Sequence, residues 1–225
     1  PNTTPPLIDG ATLDAALDHV AGEARCDVGL YLGAADGNAG EARRAADRAA
    51  GLKVYLNDTF GRLRIETLAA LRPYFESWPT GRPIVLHAED LNVATAIGLG
   101  RTYGQWVHIA HVSRGEEIRL IAAAKDAGLQ VTCEVAPHHL FLSTDDLARL
   151  GALGDMRPRL SPPADRDALW AHLDAVDCLA TDHAPHTRAE KAAAEPPPGV
   201  PGLETMLPLL LTAVDDGRLS LARLI

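Results

Sequence analysis

The sequence predicts an α/β protein in which a parallel sheet closes into a (β/α)8 barrel. Short apolar or β-branched segments recur along the 225 residues, and segments with helical spacing separate them. This alternation of strand and helix indicates a parallel sheet with helical connections. Polar residues end several apolar segments, and in a barrel those strand ends converge on one mouth. No Gly-rich phosphate loop follows the first strand, which disfavours the alternative of an open nucleotide-binding sheet.

The predicted strands are short and mostly buried on both faces. They cover residues 26–33, 51–56, 83–89, 106–112, 130–136 and 178–184. The predicted helices cover residues 13–24, 41–49, 65–77, 92–101, 116–127, 166–173 and 203–214. A closed barrel of this class has eight strands and about 250 residues. We therefore expect residues 1–225 to form a single barrel domain that is incomplete, with its first strands missing.

Composition and charge exclude several classes of protein. The formal net charge is −9, and acidic and basic residues are interspersed, so the sequence predicts no basic surface that could bind nucleic acid. No segment has the length and apolar character of a membrane-spanning helix. Cys26, Cys133 and Cys178 lie far apart in apolar segments, which favours reduced core positions and a cytoplasmic protein.

Lys53 is the most informative single residue. The segment GLKVYL places its ammonium within an apolar strand, where a strongly hydrated charge is poorly accommodated. Desolvation favours the neutral amine, and a neutral amine can add carbon dioxide to form a carbamate that bridges two metal ions. The alternative is a lysine whose stem is buried while its ammonium reaches water at the barrel rim.

Three further residues end apolar segments and could bind metal. His87 in VLHAED and His111 in HIAHVS would place neutral imidazoles at the barrel mouth, where they suit zinc. A lone histidine at such a position is more often a structural residue. Asp182 in CLATDHAPH would be costly to desolvate unless it met a metal, a cation or hydrogen-bond donors. A helix N-cap or an Asx turn near Pro185 would also explain this carboxylate.

Glu134, in TCEVAPHH, lies in the strand that follows His111 and could face the same mouth. It could serve there as a ligand or as a group that orients one, and the alternative is an ion pair with a neighbouring Arg or Lys. His138 and His139 follow at once, and at most one of two adjacent side chains should point inward. We therefore treat both histidines as supporting residues.

Several strings along the chain carry a family resemblance. They are PNTTPP, GLKVYLNDTF, HAE, EVAPHHLFLS, TDHAPHT and PPPGVPGLETMLPLLLTAV. In this order they resemble the dihydroorotases of the amidohydrolase superfamily, in particular the dihydroorotase domain of the animal multifunctional pyrimidine-synthesis protein, over essentially all 225 residues. The resemblance implies a TIM-type barrel and a zinc-dependent hydrolase that interconverts N-carbamoyl-L-aspartate and L-dihydroorotate.

The resemblance also implies metal-binding roles. Lys53 would be carboxylated and bridge two zinc ions, His87 and His111 would hold one zinc, and Asp182 would bind the other and transfer protons. Glu134 would belong to a third metal site. Ala110 stands where the animal domain has a cysteine, which argues against that third metal.

Substrate contacts follow from the same resemblance. Asn2 and His186 would bind the substrate carboxylate, and Arg157 would lie near the site. The backbone around Pro198 and Gly199 would meet the ring. These residues would supply the local donors that an acidic protein needs to bind an anionic small molecule.

Thr59 and Phe60, by the same resemblance, would sit on a mobile loop that closes over the site and excludes water. The natural protein could be a homodimer, or it could be fused to other pyrimidine-synthesis domains.

The chain departs from the family because it contains no His-x-His pair, which the family carries on its first strand as zinc ligands. We therefore expect an N-terminally truncated sequence that is inactive by itself. Two alternatives stay open. A hydantoinase or allantoinase would share the barrel and its metal ligands but would have no use for Asn2 and His186 as carboxylate contacts. A non-catalytic scaffold domain need not hold metal at all.

Overall fold

The computed structural model describes residues 1–59, 61 and 63–225. Its strands lie in one sheet in the order β1-β2-β3-β4-β5-β6. The resolved pairings, β1 with β2, β2 with β3, β3 with β4 and β5 with β6, are all parallel. The strands are Tyr31–Gly33 (β1), Gly51–Tyr55 (β2), Ile84–His87 (β3), Val107–Ile109 (β4), Val131–Val135 (β5) and Cys178–Leu179 (β6).

Helices separate successive strands, several of them lie between β5 and β6, and three more follow β6. The longer helices are Gly10–Glu23 (α1), Ala39–Ala45 (α2), Leu68–Ser77 (α3), Leu91–Tyr103 (α4), Gly115–Asp126 (α5), Pro163–Ala171 (α8) and Met206–Asp215 (α10). The shorter ones are Pro137–Phe141 (α6), Leu147–Leu150 (α7), Arg188–Lys191 (α9) and Leu221–Leu224 (α11). In the described part of the chain, no helix is long and apolar enough to cross a membrane.

Contacts divide the chain into two compact units. The first unit comprises Pro1–Ala110 and Leu120–Thr132, and the second comprises His111–Arg119 and Cys133–Ile225. In the first unit all five residues of β2 are buried. That pattern is typical of a parallel strand covered on both faces, and it explains why the strand reads as a nearly continuous apolar run.

Short polar motifs set the ends of the helices in the first unit. The Asp9 carboxylate accepts a hydrogen bond from the Thr12 amide at 2.8 Å, and the Thr12 hydroxyl accepts one from the Asp9 amide at 3.3 Å. This capping box satisfies amides that the first turn of α1 leaves without partners. Gly104 ends α4 with φ 64°, a left-handed conformation that glycine adopts at little cost.

The second unit is organised around β5, β6 and short helices. Glu134 of β5 lies opposite Cys178 of β6, and the Asp177 carboxylate accepts the Cys133 amide at 2.7 Å. Helix α6 packs against α8 and α10, and the Trp170 indole donates to the Leu140 carbonyl at 2.6 Å. A small apolar cluster is formed by Met156, Leu160, Val200 and the partly buried Leu142.

The prediction of six parallel strands alternating with helices is confirmed. Three details of it are wrong. The strand expected at residues 178–184 covers only Cys178–Leu179. Residues 26–30 lie outside β1 and are exposed or half-buried, because Asp27 and Gly29 are poor strand formers. Cys26 and Cys178 are exposed and only Cys133 is buried, so the expectation of three core cysteines holds for one.

Candidate functional site

Lys53 and His87 lie on the same face of two neighbouring strands in the first unit. Lys53 is opposite Val85, and Tyr55 is opposite His87. Paired residues share a face of the sheet, and residues two apart on a strand share it too, so Lys53, Tyr55 and His87 all point to one side. Lys53 is only 8% exposed and His87 only 1% exposed. The structure thus places a lysine and a histidine together in a buried environment.

An aromatic ring lies close to both of these side chains. The Lys53 Nζ atom lies 5.4 Å from the centroid of the Tyr55 ring, a distance at which a cation is attracted to the ring face. The Tyr55 and His87 ring centroids are 6.0 Å apart. The His87 Nε2 atom also lies 3.3 Å from the Glu89 carboxylate, which orients the imidazole.

The segment after β2 carries Thr59, one of the two predicted loop residues, and lies beside the predicted substrate contact Asn2. The Thr59 hydroxyl accepts the Gly61 amide at 3.3 Å. A side chain at Gly61 would collide with the side-chain amide of Asn2. Asn2 and Thr59 therefore both lie against Gly61, in the first unit. Phe60, the other predicted loop residue, lies outside the described residues.

His108 shares the face of Lys53 and was not singled out from the sequence. It lies opposite Val85, which in turn lies opposite Lys53. The Thr132 hydroxyl is 2.9 Å from His108 Nδ1 and accepts the Trp106 indole N–H at 2.8 Å. The sequence does indicate the direction of His108, because Val107 and Ile109 are buried on one face of β4 and the residue between them faces the other side.

His111 and Asp182 stand at unusual backbone positions in the second unit. Their φ angles are +39° and +45°, in the left-handed region that costs most non-glycine residues about 1–3 kcal/mol and is often used at functional sites. Each lies two or three residues beyond the end of a strand, β4 for His111 and β6 for Asp182. His111 is buried, whereas Asp182 is exposed.

Glu134 and the two adjacent histidines also belong to the second unit. Glu134 is half-buried in β5, and its backbone carbonyl accepts the Val112 amide at 2.9 Å. His138 and His139 are both buried, with ring centroids 4.4 Å apart. Burial lowers the pKa of His138 to about 4 and holds the pKa of His139 well below its usual value. Both histidines are therefore neutral near pH 7.

Four predicted substrate residues gather around Asp155 in the second unit. The Arg157 guanidinium donates to the Asp155 carboxylate at 2.5 Å, and the Gly199 amide donates to the Asp155 carbonyl at 2.9 Å. His186 Nε2 lies 3.1 Å from the Pro198 carbonyl, to which it donates. Arg157, His186, Pro198 and Gly199 thus form one connected group.

A close approach of two backbone segments makes glycine necessary at position 199. Gly199 has φ +133°, and a Cβ atom there would lie 2.7 Å from the Ala184 carbonyl oxygen. Nearby, His183 Nδ1 accepts the Gly202 and Leu203 amides at 3.1 and 3.2 Å. The segment containing Asp182 to His186 is therefore packed firmly against residues 198–203.

Comparison with known protein sequences gives matches along the whole chain. The chain is 50% identical over 226 aligned residues to the "Multifunctional protein CAD" of Squalus acanthias, covering 100% of this chain and 10% of that protein. It is 36% identical to a "Dihydroorotase" of Halobacterium salinarum, covering 99% of this chain and 59% of the relative. The chain thus spans a tenth of one relative and somewhat over half of the other. No family model matches the chain.

Solved structures give the same fold. An L-hydantoinase from Arthrobacter aurescens superposes with a TM-score of 0.91 at 26% identity, covering 100% of this chain and 59% of that one. An inactive dihydroorotase-like domain of a Chaetomium thermophilum CAD-like multifunctional protein superposes with a TM-score of 0.81 at 29% identity, covering 97% of this chain and 62% of that one.

These matches define the chain as part of a TIM-type (β/α) barrel of the amidohydrolase type. The sequence relatives have narrower names, which are dihydroorotase and multifunctional protein. Over its whole length the chain is similar to dihydroorotases and to multifunctional proteins such as CAD.

Proposed function

We propose that this chain is the larger part of a zinc-dependent dihydroorotase, which interconverts N-carbamoyl-L-aspartate and L-dihydroorotate. The observation that carries the proposal is the placement of Lys53, a buried lysine on an entirely buried strand, on the same sheet face as His87. A carbamate on Lys53 would turn a poorly tolerated cation into a metal ligand. The family relatives support the same reading.

The donor set fits a metal centre. Lys53 as a carbamate, His87 and His111 as neutral imidazoles, and Asp182 as a carboxylate are the nitrogen and oxygen ligands that zinc takes in catalytic sites. The positive φ angles of His111 and Asp182 support functional positions for both. We propose two zinc ions bridged by Lys53. A third at Glu134 is not proposed, because Ala110 supplies no ligand.

Asp182 is the proposed proton carrier. Bound zinc would polarise the amide carbonyl and make water a stronger acid. In hydrolysis, Asp182 accepts a proton from the attacking water and delivers it to the ring nitrogen as the carbon–nitrogen bond breaks. In ring closure, it takes the proton from the ureido nitrogen as that nitrogen bonds to the carbon of the protonated carboxyl group, and it returns this proton to the departing hydroxyl, which leaves as water.

The substrate carboxylate is proposed to bind Asn2 and His186, with Arg157 close by. Pro198 and Gly199 would contact the ring through their backbone. The connection of four of these residues through Asp155 supports this assignment. The hydrogen bond from His186 Nε2 to the Pro198 carbonyl fixes the imidazole beside residues 198–199.

Thr59 and Phe60 are proposed to form part of a loop that closes over the bound substrate. Closure of this kind would exclude water during the reaction. The sequence relatives include segments of multifunctional proteins, which supports fusion to other pyrimidine-synthesis domains in a cytoplasmic enzyme.

The proposal is tested with the full-length protein that contains this chain. We expect it to hydrolyse dihydroorotate and to act far less on hydantoin, which has no carboxylate for Asn2 and His186. Asp182→Asn should lower kcat by about 100-fold or more, as expected for loss of a general acid–base group, with little change in melting temperature. The exposed Asp126→Asn serves as the matched control. Near-normal turnover of Asp182→Asn would show that the assigned role is wrong.

A non-catalytic domain is the second candidate. It is favoured by the structural likeness to an inactive dihydroorotase-like domain. We also propose that the 225 residues alone are inactive, because they hold no His-x-His pair. Metal analysis of the purified full-length protein separates the two functions, because a scaffold need not retain about two zinc ions per chain.

A further inference from the structure

Lys191 occupies an unusual position for a lysine. It ends α9, a single turn whose capping box is formed by Thr187 and Glu190. Its side chain is buried, with 7% of the residue exposed. Burying an ammonium group costs free energy unless its N–H groups donate hydrogen bonds to nearby acceptors.

The Lys191 ammonium joins two backbone segments. Its Nζ atom donates to the Pro197 carbonyl at 2.9 Å and to the Asp155 carbonyl at 3.2 Å. The Asp155 carbonyl also accepts the Gly199 amide at 2.9 Å. Desolvation lowers the pKa of Lys191, while the charge of Asp155 acts in the opposite direction.

Both segments carry proposed substrate-binding residues. The Asp155 carboxylate holds the Arg157 guanidinium, and Pro198, next to Pro197, accepts the hydrogen bond from His186. Through Asp155, Lys191 is thus linked to Arg157 and Gly199. Through Pro197, it is linked to Pro198 and His186. No other lysine or arginine among the described residues donates to either carbonyl.

We propose that Lys191 is a positioning residue for substrate binding, which fixes residues 197–199 against residues 155–157 so that the ring and carboxylate contacts are formed before the substrate arrives. The inference rests on the proposed dihydroorotase function. Lys191 acts through the peptide groups that it holds and does not touch the reacting atoms. Ordering these segments in advance saves entropy that the substrate would otherwise have to supply on binding.

The test compares Lys191→Met with wild type in the full-length enzyme, using dihydroorotate as substrate. We expect KM to rise about tenfold or more, as for loss of hydrogen bonds from a charged group, while kcat changes by no more than about twofold because the proton carrier and metal ligands are untouched. Zinc content should not change. Lys191→Arg keeps the charge and the donors and should recover part of the affinity.

Lys125→Met is the matched control, because it removes a cation from the end of α5 by the same substitution. Its KM should equal that of wild type. The inference is overturned if Lys191→Met retains the wild-type KM, if Lys191→Arg is no better than Lys191→Met, or if both variants lose zinc and fail to fold, since Lys191 would then serve folding alone. Failure of the proposed function gives a different result, an inactive wild-type protein.

Discussion

Acid should destabilise the second unit through His138 and His139. Burial holds the pKa of His138 at about 4, against an ordinary value of 6.5. A histidine with a lowered pKa stabilises the folded state fully above pH 6.5, and this contribution is lost as the pH falls toward 4. The difference of about 2.5 in pKa, at about 1.36 kcal/mol for each pKa unit, gives about 3 kcal/mol for His138 alone. The lowered pKa of His139 acts in the same direction.

Urea denaturation at pH 7, 6 and 5 measures this effect as a change in the free energy of unfolding. Wild type should lose stability steeply over this range. His138→Gln should show a shallower pH dependence, because glutamine takes up no proton. His19→Gln, at an exposed histidine of α1, is the control and should keep the wild-type slope. Equal slopes for wild type and His138→Gln would show that protonation of His138 does not contribute to the acid sensitivity.

Three further changes probe the site and its surroundings. Gly199→Ala should destabilise the fold by about 2 kcal/mol and raise KM for dihydroorotate, because the backbone is strained for alanine and the methyl meets the Ala184 carbonyl; an unchanged melting temperature would contradict this. Lys53→Met should abolish turnover and reduce bound zinc, measured by elemental analysis, and full zinc occupancy would argue against a bridging role. Asp9→Ala should cost about 1 kcal/mol in thermal unfolding through loss of the α1 capping box, and no effect on turnover is expected.

The fold was readable from the sequence because burial on both faces leaves continuous apolar runs. β2 and β3 show this directly, since every residue in them is buried. The same pattern wrongly predicted a buried strand at residues 26–30, which are exposed or half-buried. Helices of a single turn were missed, since they are too short for periodicity. One of them, α9, carries the readable capping signature of Thr187 and Glu190.

The site was predictable only where a side chain breaks an apolar pattern. Lys53 does so within its strand, and the structure confirms that the position is buried. His108 was missed because it follows the ordinary alternation of β4. Asp155 and Lys191 were missed for a different reason. Their hydrogen bonds involve the backbone carbonyls of Asp155 and Pro197. Which groups meet these carbonyls depends on the three-dimensional arrangement of the loops, and the order of side chains in the sequence does not indicate it.

Lys53, His87, His111 and Asp182 are the four residues proposed to bind metal. Anomalous diffraction at the zinc absorption edge, from crystals of the full-length protein, tests this proposal most directly. We expect two zinc peaks bridged by density for a carbamate on Lys53, with His87, His111 and Asp182 as ligands. An unmodified Lys53 with no anomalous peak within bonding distance of these four residues would contradict it.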